Sequence, residues 1–282
     1  MKVDLHLHTT ASDGRLDPGV LVGVAAKKGL SVIAITDHDS IDGIAPALLA
    51  AESFPSLRVI PGVEINTDIT NGEVHILGYF IDYRNKELER ALETLRNSRE
   101  ARARKMIAKL GELGIDVEWQ RVKELAGGGS IGRPHIAQAM FERGYILSFQ
   151  EAFIKYIGRQ GPAYAERERL SPVEAVALVV KAGGLPVLAH PADIADLEEL
   201  LIELKQAGLV GLEAYYNGYN RKTINRLVDL ADKHGLLTSG GSDFHGLESA
   251  NEIPVGGVDV PFDCAERLVA LARQRDQEVV TQ

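Results

Sequence analysis

The stretch from Val3 to Gly14, VDLHLHTTASDG, places His6 and His8 two residues apart in an alternating apolar run. Because side chains alternate between the two faces of a strand, this spacing puts both imidazoles on one face. Asp13 follows on the loop beyond. Neutral imidazole and carboxylate are donors that transition-metal ions accept in proteins. The stretch therefore has two interpretations, a metal-binding pair or hydrogen-bonded core histidines.

Histidines and carboxylates recur near the ends of later apolar runs, in TDHDS, GVEI, VHILGY, LAHP and GGSDFHG. Each of these alone could be a packed side chain or a turn, but their joint recurrence indicates one site. The candidate ligands are His6, His8, Asp13, His38, Glu64, His75, His190, Asp243 and His245. Nine donors exceed the needs of one ion, so we expect two or three divalent ions that share carboxylates. Such clustered ions favour phosphoester hydrolysis, because they acidify bridging water and hold phosphoryl oxygens.

The elements that must position these residues are short apolar runs that alternate with amphipathic segments. One such segment, SPVEAVALVVKAGG, opens with Ser171 as an N-cap and Pro172 at the first helical position. The runs are VDLHLH, SVIAIT, LRVIPGVEI, EVHILGYF, LPVLAH, LVGLEAY and GLLTSGGS. This alternation predicts an α/β fold built on parallel strands, either open or closed as a barrel. Ligands then bind at the carboxyl ends of the strands.

The alternation of strand and helix patterns is interrupted between about Lys86 and Tyr164, where the pattern is almost entirely helical. We interpret residues 98–163 as a helical insertion that separates a first barrel part, 1–97, from a second, 164–282. The GGGS segment from Gly127 to Ser130 is predicted to be a flexible joint within the insertion.

Basic residues concentrate in this helical region. In RNSREARARKM, a spacing of three places Arg99, Arg102 and Lys105 near one helix face, whereas Arg104 is offset by about 100° per residue. In RPHIAQAM, Arg133 and His135 open a helix; exposed helix N-termini favour phosphate. Solvated helix surfaces remain the alternative for both segments.

Other features limit the classes of function. The single cysteine, Cys264, excludes an internal disulfide and is expected to pack within a helix. His234 precedes a glycine at a predicted helix end and is interpreted as structural. A formal net charge of −9 argues against broad binding to a phosphate backbone. We find no signal peptide pattern and no membrane-length apolar run, so we expect a cytoplasmic protein.

Taken together, DLHLHTTASDG, AITDHDS, GVEI, VHILGY, LAHP and GGSDFHG resemble the PHP (polymerase and histidinol phosphatase) family of metal-dependent phosphoesterases. The resemblance covers about residues 1–85 and 165–282. It implies a distorted seven-stranded β/α barrel, with a helical insertion in this chain and a trinuclear metal centre at the carboxyl ends of the strands.

The resemblance also implies how the ligands are divided among three ions. The first ion is expected to bind His6, His8, Glu64 and Asp243. The second is expected to bind Asp13, His38 and His245, and the third Glu64, His75 and His190. Asp37 and Asp39 are expected to orient His38 or the neighbouring loops. A metal-bridging hydroxide is then the nucleophile, and no separate protein nucleophile is required.

The insertion is similar to that of bacterial 3',5'-nucleoside bisphosphate phosphatases and related 5'-to-3' exoribonucleases. This similarity implies that the insertion contacts the 5'-phosphate of the substrate. The residues expected in that role are Arg99, Arg102, Arg104, Lys105, Arg133 and His135.

The expected activity is removal of the 3'-phosphate from nucleoside 3',5'-bisphosphates such as pAp, with three Mn ions, or alternatively Zn or Fe. The alternatives are a 5'-to-3' exoribonuclease on short 5'-monophosphorylated RNA, a histidinol-phosphate phosphatase, and a non-catalytic metal-dependent binding module. A small nucleotide or short RNA is the expected partner, and neither a membrane nor duplex DNA is expected.

Overall fold

The computed structural model describes residues 1–69, 72–127, 131–166, 170–247 and 252–280. Each of the seven predicted apolar runs overlaps a strand, so the prediction of an α/β fold is confirmed. The strands are β1 Lys2–Asp4, β2 Leu30–Ile35, β3 Arg58–Ile69, β4 Gly72–Tyr79, β5 Leu185–Leu188, β6 Gly211–Tyr216 and β7 Leu237–Gly241.

The helices fill the intervals between strands and most of the region from 86 to 157. They are α1 Pro18–Lys27, α2 Ile44–Ala51, α3 Lys86–Glu112, α4 Trp119–Leu125, α5 Arg133–Glu142, α6 Phe149–Ala152, α7 Pro172–Lys181, α8 Leu197–Gln206, α9 Arg221–His234 and α10 Phe262–Val280. Helix α7 begins as predicted, because the Ser171 hydroxyl accepts from the Glu174 amide and the Glu174 carboxylate accepts from the Ser171 amide.

The seven strands form one sheet in sequence order, and its two edges meet to give a nearly closed barrel. Backbone hydrogen bonds join the segment after β1 to the end of β7. The Leu5 amide donates to the Gly240 carbonyl at 3.0 Å, and the Asp243 amide donates to the His6 carbonyl at 3.0 Å. The closure therefore brings the first candidate ligands beside the last.

One strand departs from the parallel arrangement: β4 runs antiparallel to both β3 and β5. Only residues 70 and 71 separate β3 from β4, too few for a crossover connection between parallel strands. Because β4 runs in the opposite direction, a ligand on it must lie near the start of the strand, rather than the end, to reach the same end of the barrel. His75 lies near the start of β4, yet it pairs with Asn66 of β3 and so reaches the same end of the barrel.

Helix α3 connects two hydrophobic cores. Its first half contributes Leu88 and Leu92 to a core shared with the barrel strands. Its second half contributes Met106 and Leu110 to a separate core with α4 and α5. The predicted boundary at residue 98 falls inside this continuous helix, and the division into 1–97, 98–163 and 164–282 stays a prediction. Of the predicted GGGS joint, residues 128–130 lie outside the described residues.

Two predicted structural residues lie where the sequence pattern puts them. Cys264 is buried in α10. His234 ends α9 and its Nε2 lies 2.9 Å from the Glu198 carboxylate. Among the residues that the structure describes, no helix combines the length and apolar character needed to cross a membrane.

A buried carboxylate holds the closed edge of the barrel. Asp4 accepts hydrogen bonds from the Ser242 amide at 2.9 Å, the Ser242 hydroxyl at 2.6 Å and the Gly256 amide at 2.8 Å. Burial raises the pKa of Asp4, although these donors oppose the rise. Beside it, Gly241 leaves no room for a side chain, since a β-carbon there would lie 2.5 Å from the His6 backbone nitrogen. The backbone contact at Gly241 thus sets the position of His6.

We predict that Gly241→Ala lowers the free energy of unfolding by about 3 kcal/mol, because the methyl group can be accommodated only by moving the backbone of β1. Gly111→Ala is the matched control. Gly111 lies in α3 with open space around its α-carbon, so this change should raise stability by about 0.5–1 kcal/mol. Thermal unfolding of both variants checks the prediction, and equal melting temperatures would contradict it.

Candidate metal centre

The carboxylate of Glu64, on β3, lies at the centre of the site and is 0% exposed. Its two oxygens face imidazole nitrogens from four other strand ends. The shortest contact is 2.8 Å, from Oε1 to His75 Nδ1. The remaining four contacts are 3.0–3.2 Å and involve His6, His8, His38 and His190. One buried carboxylate therefore contacts five of the six predicted histidines.

Two further carboxylates complete the site. Asp243, after β7, places Oδ1 3.0 Å from His8 Nε2 and 3.3 Å from His6 Nε2. Asp13, on the loop after β1, places Oδ1 3.4 Å from His245 Nε2 and Oδ2 3.9 Å from His38 Nε2. The structure thus brings all nine predicted ligands together at one end of the barrel.

Three groups of these residues have ligand atoms within 4.8 Å of one another. The first is His6, His8, Glu64 and Asp243. The second is His8, Asp13, His38 and His245, and the third is His38, Glu64 and His75. The first group matches the expected set. The second adds His8, and in the third His38 stands in the place expected for His190, whose Nε2 lies 3.1 Å from His75 Nδ1.

Buried atoms without a hydrogen-bond partner test whether the residues fit metal ions. Among the described residues, such atoms include Nδ1 of His8 and Nε2 of His75. A buried polar atom without a partner is costly and needs an explanation. Imidazole and carboxylate donors that converge without thiolates suit divalent ions such as Mn, Zn or Fe. The residues of the site therefore fit the expected divalent metal ions.

The electrostatics of the site couple the carboxylates to the histidines. Burial alone would raise the pKa of Glu64, Asp13 and Asp243, but the neighbouring histidines hold all three carboxyl groups well below their usual range. Burial lowers the pKa of His38 to about 3, so its ring is neutral at neutral pH. The carboxylates stay ionised at neutral pH and present negative charge to a cation.

Two aspartates beside His38 hold the surrounding loops. Asp37 accepts hydrogen bonds from the Thr9 amide at 2.7 Å, the Thr9 hydroxyl at 2.7 Å and the Ser12 hydroxyl at 2.6 Å. Asp39, at φ 49°, accepts from the Asn66 amide at 3.0 Å. Asn66 in turn places Nδ2 2.9 Å from His38 Nδ1. Both aspartates contact the loops around His38, in keeping with the expectation from the sequence.

Sequence reasoning missed two residues on β6. Glu213 is 0% exposed and its Oε1 lies 3.0 Å from His6 Nδ1. Tyr216 donates its hydroxyl to Asp243 Oδ2 at 2.7 Å. The available signal was an acidic residue inside the apolar run LVGLEAY, the only predicted strand for which no candidate ligand was named.

The predicted phosphate-binding residues separate into two sets. Arg99, Arg102 and Arg133 lie close enough that the other two arginines help burial lower the pKa of Arg102 to about 10. His135 lies beside this group. A β-carbon at Gly132 would lie 4.0 Å from both Arg99 Nη1 and His135 Nδ1.

Lys105 and Arg104 differ from these buried arginines. Lys105 is exposed and lines a groove together with Arg102. Arg104 is also exposed, donates to the Glu100 carboxylate at 2.8 Å and packs 4.0 Å over the Trp119 ring. Its offset of two positions from Arg102 turns it to another helix face, so its predicted role stays a prediction and we leave it out of the phosphate-binding cluster proposed below.

The fold and this centre define a metal-dependent phosphoesterase, and comparison with known proteins gives the family. A family model for the PHP domain matches residues 4–126. The chain is 34% identical over 253 residues to a 3',5'-nucleoside bisphosphate phosphatase of Chromobacterium violaceum, covering 86% of this chain and 87% of that protein. The chain therefore belongs to the PHP family of metal-dependent phosphoesterases.

Two other relatives are informative. A 5'-3' exoribonuclease of Haemophilus influenzae is 33% identical, over 86% of this chain and 90% of that protein. The crystal structure of an amidohydrolase from Chromobacterium violaceum, with bound sulfate and no metal, superposes with a TM-score of 0.86 at 32% identity, covering 96% of each chain. The resemblance to solved structures thus extends over the barrel and the helical region alike.

We predict that Glu64→Gln weakens divalent-ion binding by about 10²-fold or more, because one change removes a charge that faces five histidines. Metal content after dialysis against micromolar Mn, measured by mass spectrometry, should fall by at least one ion per chain relative to the wild type. Glu112→Gln, at the exposed end of α3, is the control and should leave the content unchanged. Full metal content in Glu64→Gln would contradict a metal role for this carboxylate.

Proposed function

We propose that this chain hydrolyses the 3'-phosphate of nucleoside 3',5'-bisphosphates, converting pAp and water to AMP and inorganic phosphate. Two features support the proposal: a metal centre suited to a phosphoryl group, and a second anion site beside it. A substrate with one phosphate needs only the first feature. A bisphosphate uses both.

The observation that carries the proposal is the buried guanidinium of Arg102. Arg102 is 5% exposed, and its Nη1 has no hydrogen-bond partner among the described residues. Nη2 of the neighbouring Arg99 is also buried and has no hydrogen-bond partner among the residues that the structure describes. A buried guanidinium nitrogen without an acceptor is costly, and a phosphate supplies charged acceptors for both nitrogens.

Two ion pairs place this cationic cluster next to the metal centre. Arg99 Nε donates to Asp39 Oδ2 at 2.6 Å, one residue from His38. Arg133 donates to Glu73 Oε1 at 2.6 Å, two residues from His75. The cluster therefore borders the centre on the side of β2 and β4, where it can hold one phosphate while the other lies on the ligands.

His135 adds a neutral donor to the cluster. Its Nδ1 accepts from the Gly132 amide at 3.0 Å, which leaves the hydrogen on Nε2. Burial lowers the pKa of His135, so the ring is neutral at neutral pH. We assign its Nε2–H to hydrogen bonding with the second phosphate.

The nine converging ligands would hold the divalent ions, with Mn as the expected metal and Zn or Fe as alternatives. When bound, such ions acidify water and neutralise phosphoryl oxygens. The chain's own side chains fix the ligands and exclude bulk water from Glu64. Arg99, Arg102 and Arg133 orient the substrate through its non-reacting phosphate, which raises the effective concentration of the scissile group at the centre.

The second candidate is exonucleolytic cleavage of short 5'-monophosphorylated RNA, in which the 5'-phosphate occupies the same cluster. A groove of about 580 Å³ beside Arg102 favours a ligand larger than a mononucleotide. It is lined by Thr94, Asn97, Ser98, Ala101, Arg102, Lys105 and Glu166. The two activities need the same metal centre and the same anion site, so one chain can perform both.

We predict that Arg102→Gln raises KM for pAp by about 10²-fold, because a buried charge-assisted contact to the substrate is lost. Hydrolysis of 3'-AMP, which has no 5'-phosphate, should change less than threefold. Arg104→Gln is the matched control and should leave both reactions unchanged. Steady-state phosphate release measures all of these, with Mn present throughout.

Two results would overturn the bisphosphate proposal. One is turnover of histidinol phosphate comparable to that of pAp by the wild type. The other is equal losses on pAp and 3'-AMP in Arg102→Gln, which would place the arginine in the fold rather than in substrate recognition.

We predict for the second candidate that a short oligoribonucleotide is degraded at least tenfold faster with a 5'-phosphate than with a 5'-hydroxyl, because only the former occupies the arginine cluster. Time courses resolved on denaturing gels check this. Equal rates for the two ends would remove the exoribonuclease from consideration, whereas the pAp assay would stand unaffected.

A further inference from the structure

Glu213 lies in the interior of the barrel and contacts two predicted ligand segments at once. It is 0% exposed on β6. Its Oε1 accepts a hydrogen bond from His6 Nδ1 at 3.0 Å, and its Oε2 accepts one from the His190 amide at 2.8 Å. None of the three groups of potential ligand atoms includes Glu213. Both of its oxygens are directed at other residues of the centre.

The contact to His6 determines which ring nitrogen faces the centre. Because Nδ1 donates its hydrogen to Glu213, the lone pair of the neutral ring is on Nε2. Nε2 lies 3.1 Å from Glu64 Oε2 and 3.3 Å from Asp243 Oδ1, within the first ligand group. A carboxylate behind a ligating imidazole also increases its basicity.

The contact to His190 stabilises an unusual backbone. His190 has φ 29°, a strained backbone conformation for a residue with a β-carbon. The hydrogen bond from its amide to Glu213 Oε2 holds this turn at the end of β5. The turn directs His190 Nε2 to within 3.2 Å of Glu64 Oε1. Without Glu213, the amide of His190 loses its partner.

We infer that Glu213 is a positioning residue that links the His6 and His190 sides of the metal centre, so that both present Nε2 to the ions that Glu64 shares. The inference rests on the metal centre of the proposed function and not on the substrate. Glutamine cannot replace the carboxylate, because its amide group offers one acceptor and must set a second donor against either His6 Nδ1–H or the His190 amide.

Metal binding by the folded protein tests the inference without substrate. Mn titration of metal-free Glu213→Gln, followed by calorimetry, should show affinity reduced by 10–100-fold and a lower number of ions bound per chain. Glu203→Gln, on the exposed face of α8, is the control and should match the wild type. A Glu213→Gln isotherm that overlays the wild-type curve, with the circular dichroism spectrum unchanged, would overturn the inference.

A second measurement needs no variant and covers the case in which Glu213→Gln does not fold. In wild-type protein loaded with diamagnetic zinc, nitrogen NMR should show the hydrogen of His6 on Nδ1 and the metal-bound resonance on Nε2. A hydrogen on Nε2 would overturn the inference. A wild type that binds metal as described but leaves pAp intact would refute the proposed substrate alone.

Discussion

The structure depends on placing one buried carboxylate, Glu64 on β3, among imidazoles that the chain delivers from the four strands β1, β2, β4 and β5. This is unfavourable unless the charges are balanced, since burial alone would raise the pKa of the Glu64 carboxyl, whereas its neighbours hold it well below its usual range. Divalent ions would satisfy both the carboxylates and the unpartnered nitrogens. The barrel closure at Asp4 and Gly241 and the loop contacts of Asp37 and Asp39 serve to hold this arrangement rigid.

A second constraint acts on the helical region. Arg102 and Arg99 are buried beside the centre, and each has a guanidinium nitrogen without a partner among the described residues. A site suited to cations and a site suited to an anion therefore lie next to each other. The ligands attract cations and the arginines attract an anion. The proposed bisphosphate substrate would satisfy the arginines directly and the ligands through bound ions. Helix α3 makes this possible, because one continuous element joins the barrel core to the core of the helical region.

Much of this could be predicted from the sequence, for identifiable reasons. Strand ends collect ligands at one edge of a sheet, so His38, Glu64 and His190 could be assigned to one site before their contacts were known. The direction of β4 could not be predicted, because an apolar run indicates a strand but not whether it lies parallel or antiparallel to its neighbours. Arg102 and Arg104 could be separated only by their rotation about α3, and Glu213 was missed because its importance lies in its two hydrogen-bond partners rather than in a motif.

The central claim is that Glu64 unites the divalent ions of one multinuclear centre. Anomalous diffraction from a manganese-loaded crystal, collected on both sides of the manganese absorption edge, tests it most directly. We predict separate anomalous peaks in the two ligand groups that include Glu64, each within coordination distance of its carboxylate. A single peak away from Glu64, or peaks confined to surface carboxylates, would contradict the account.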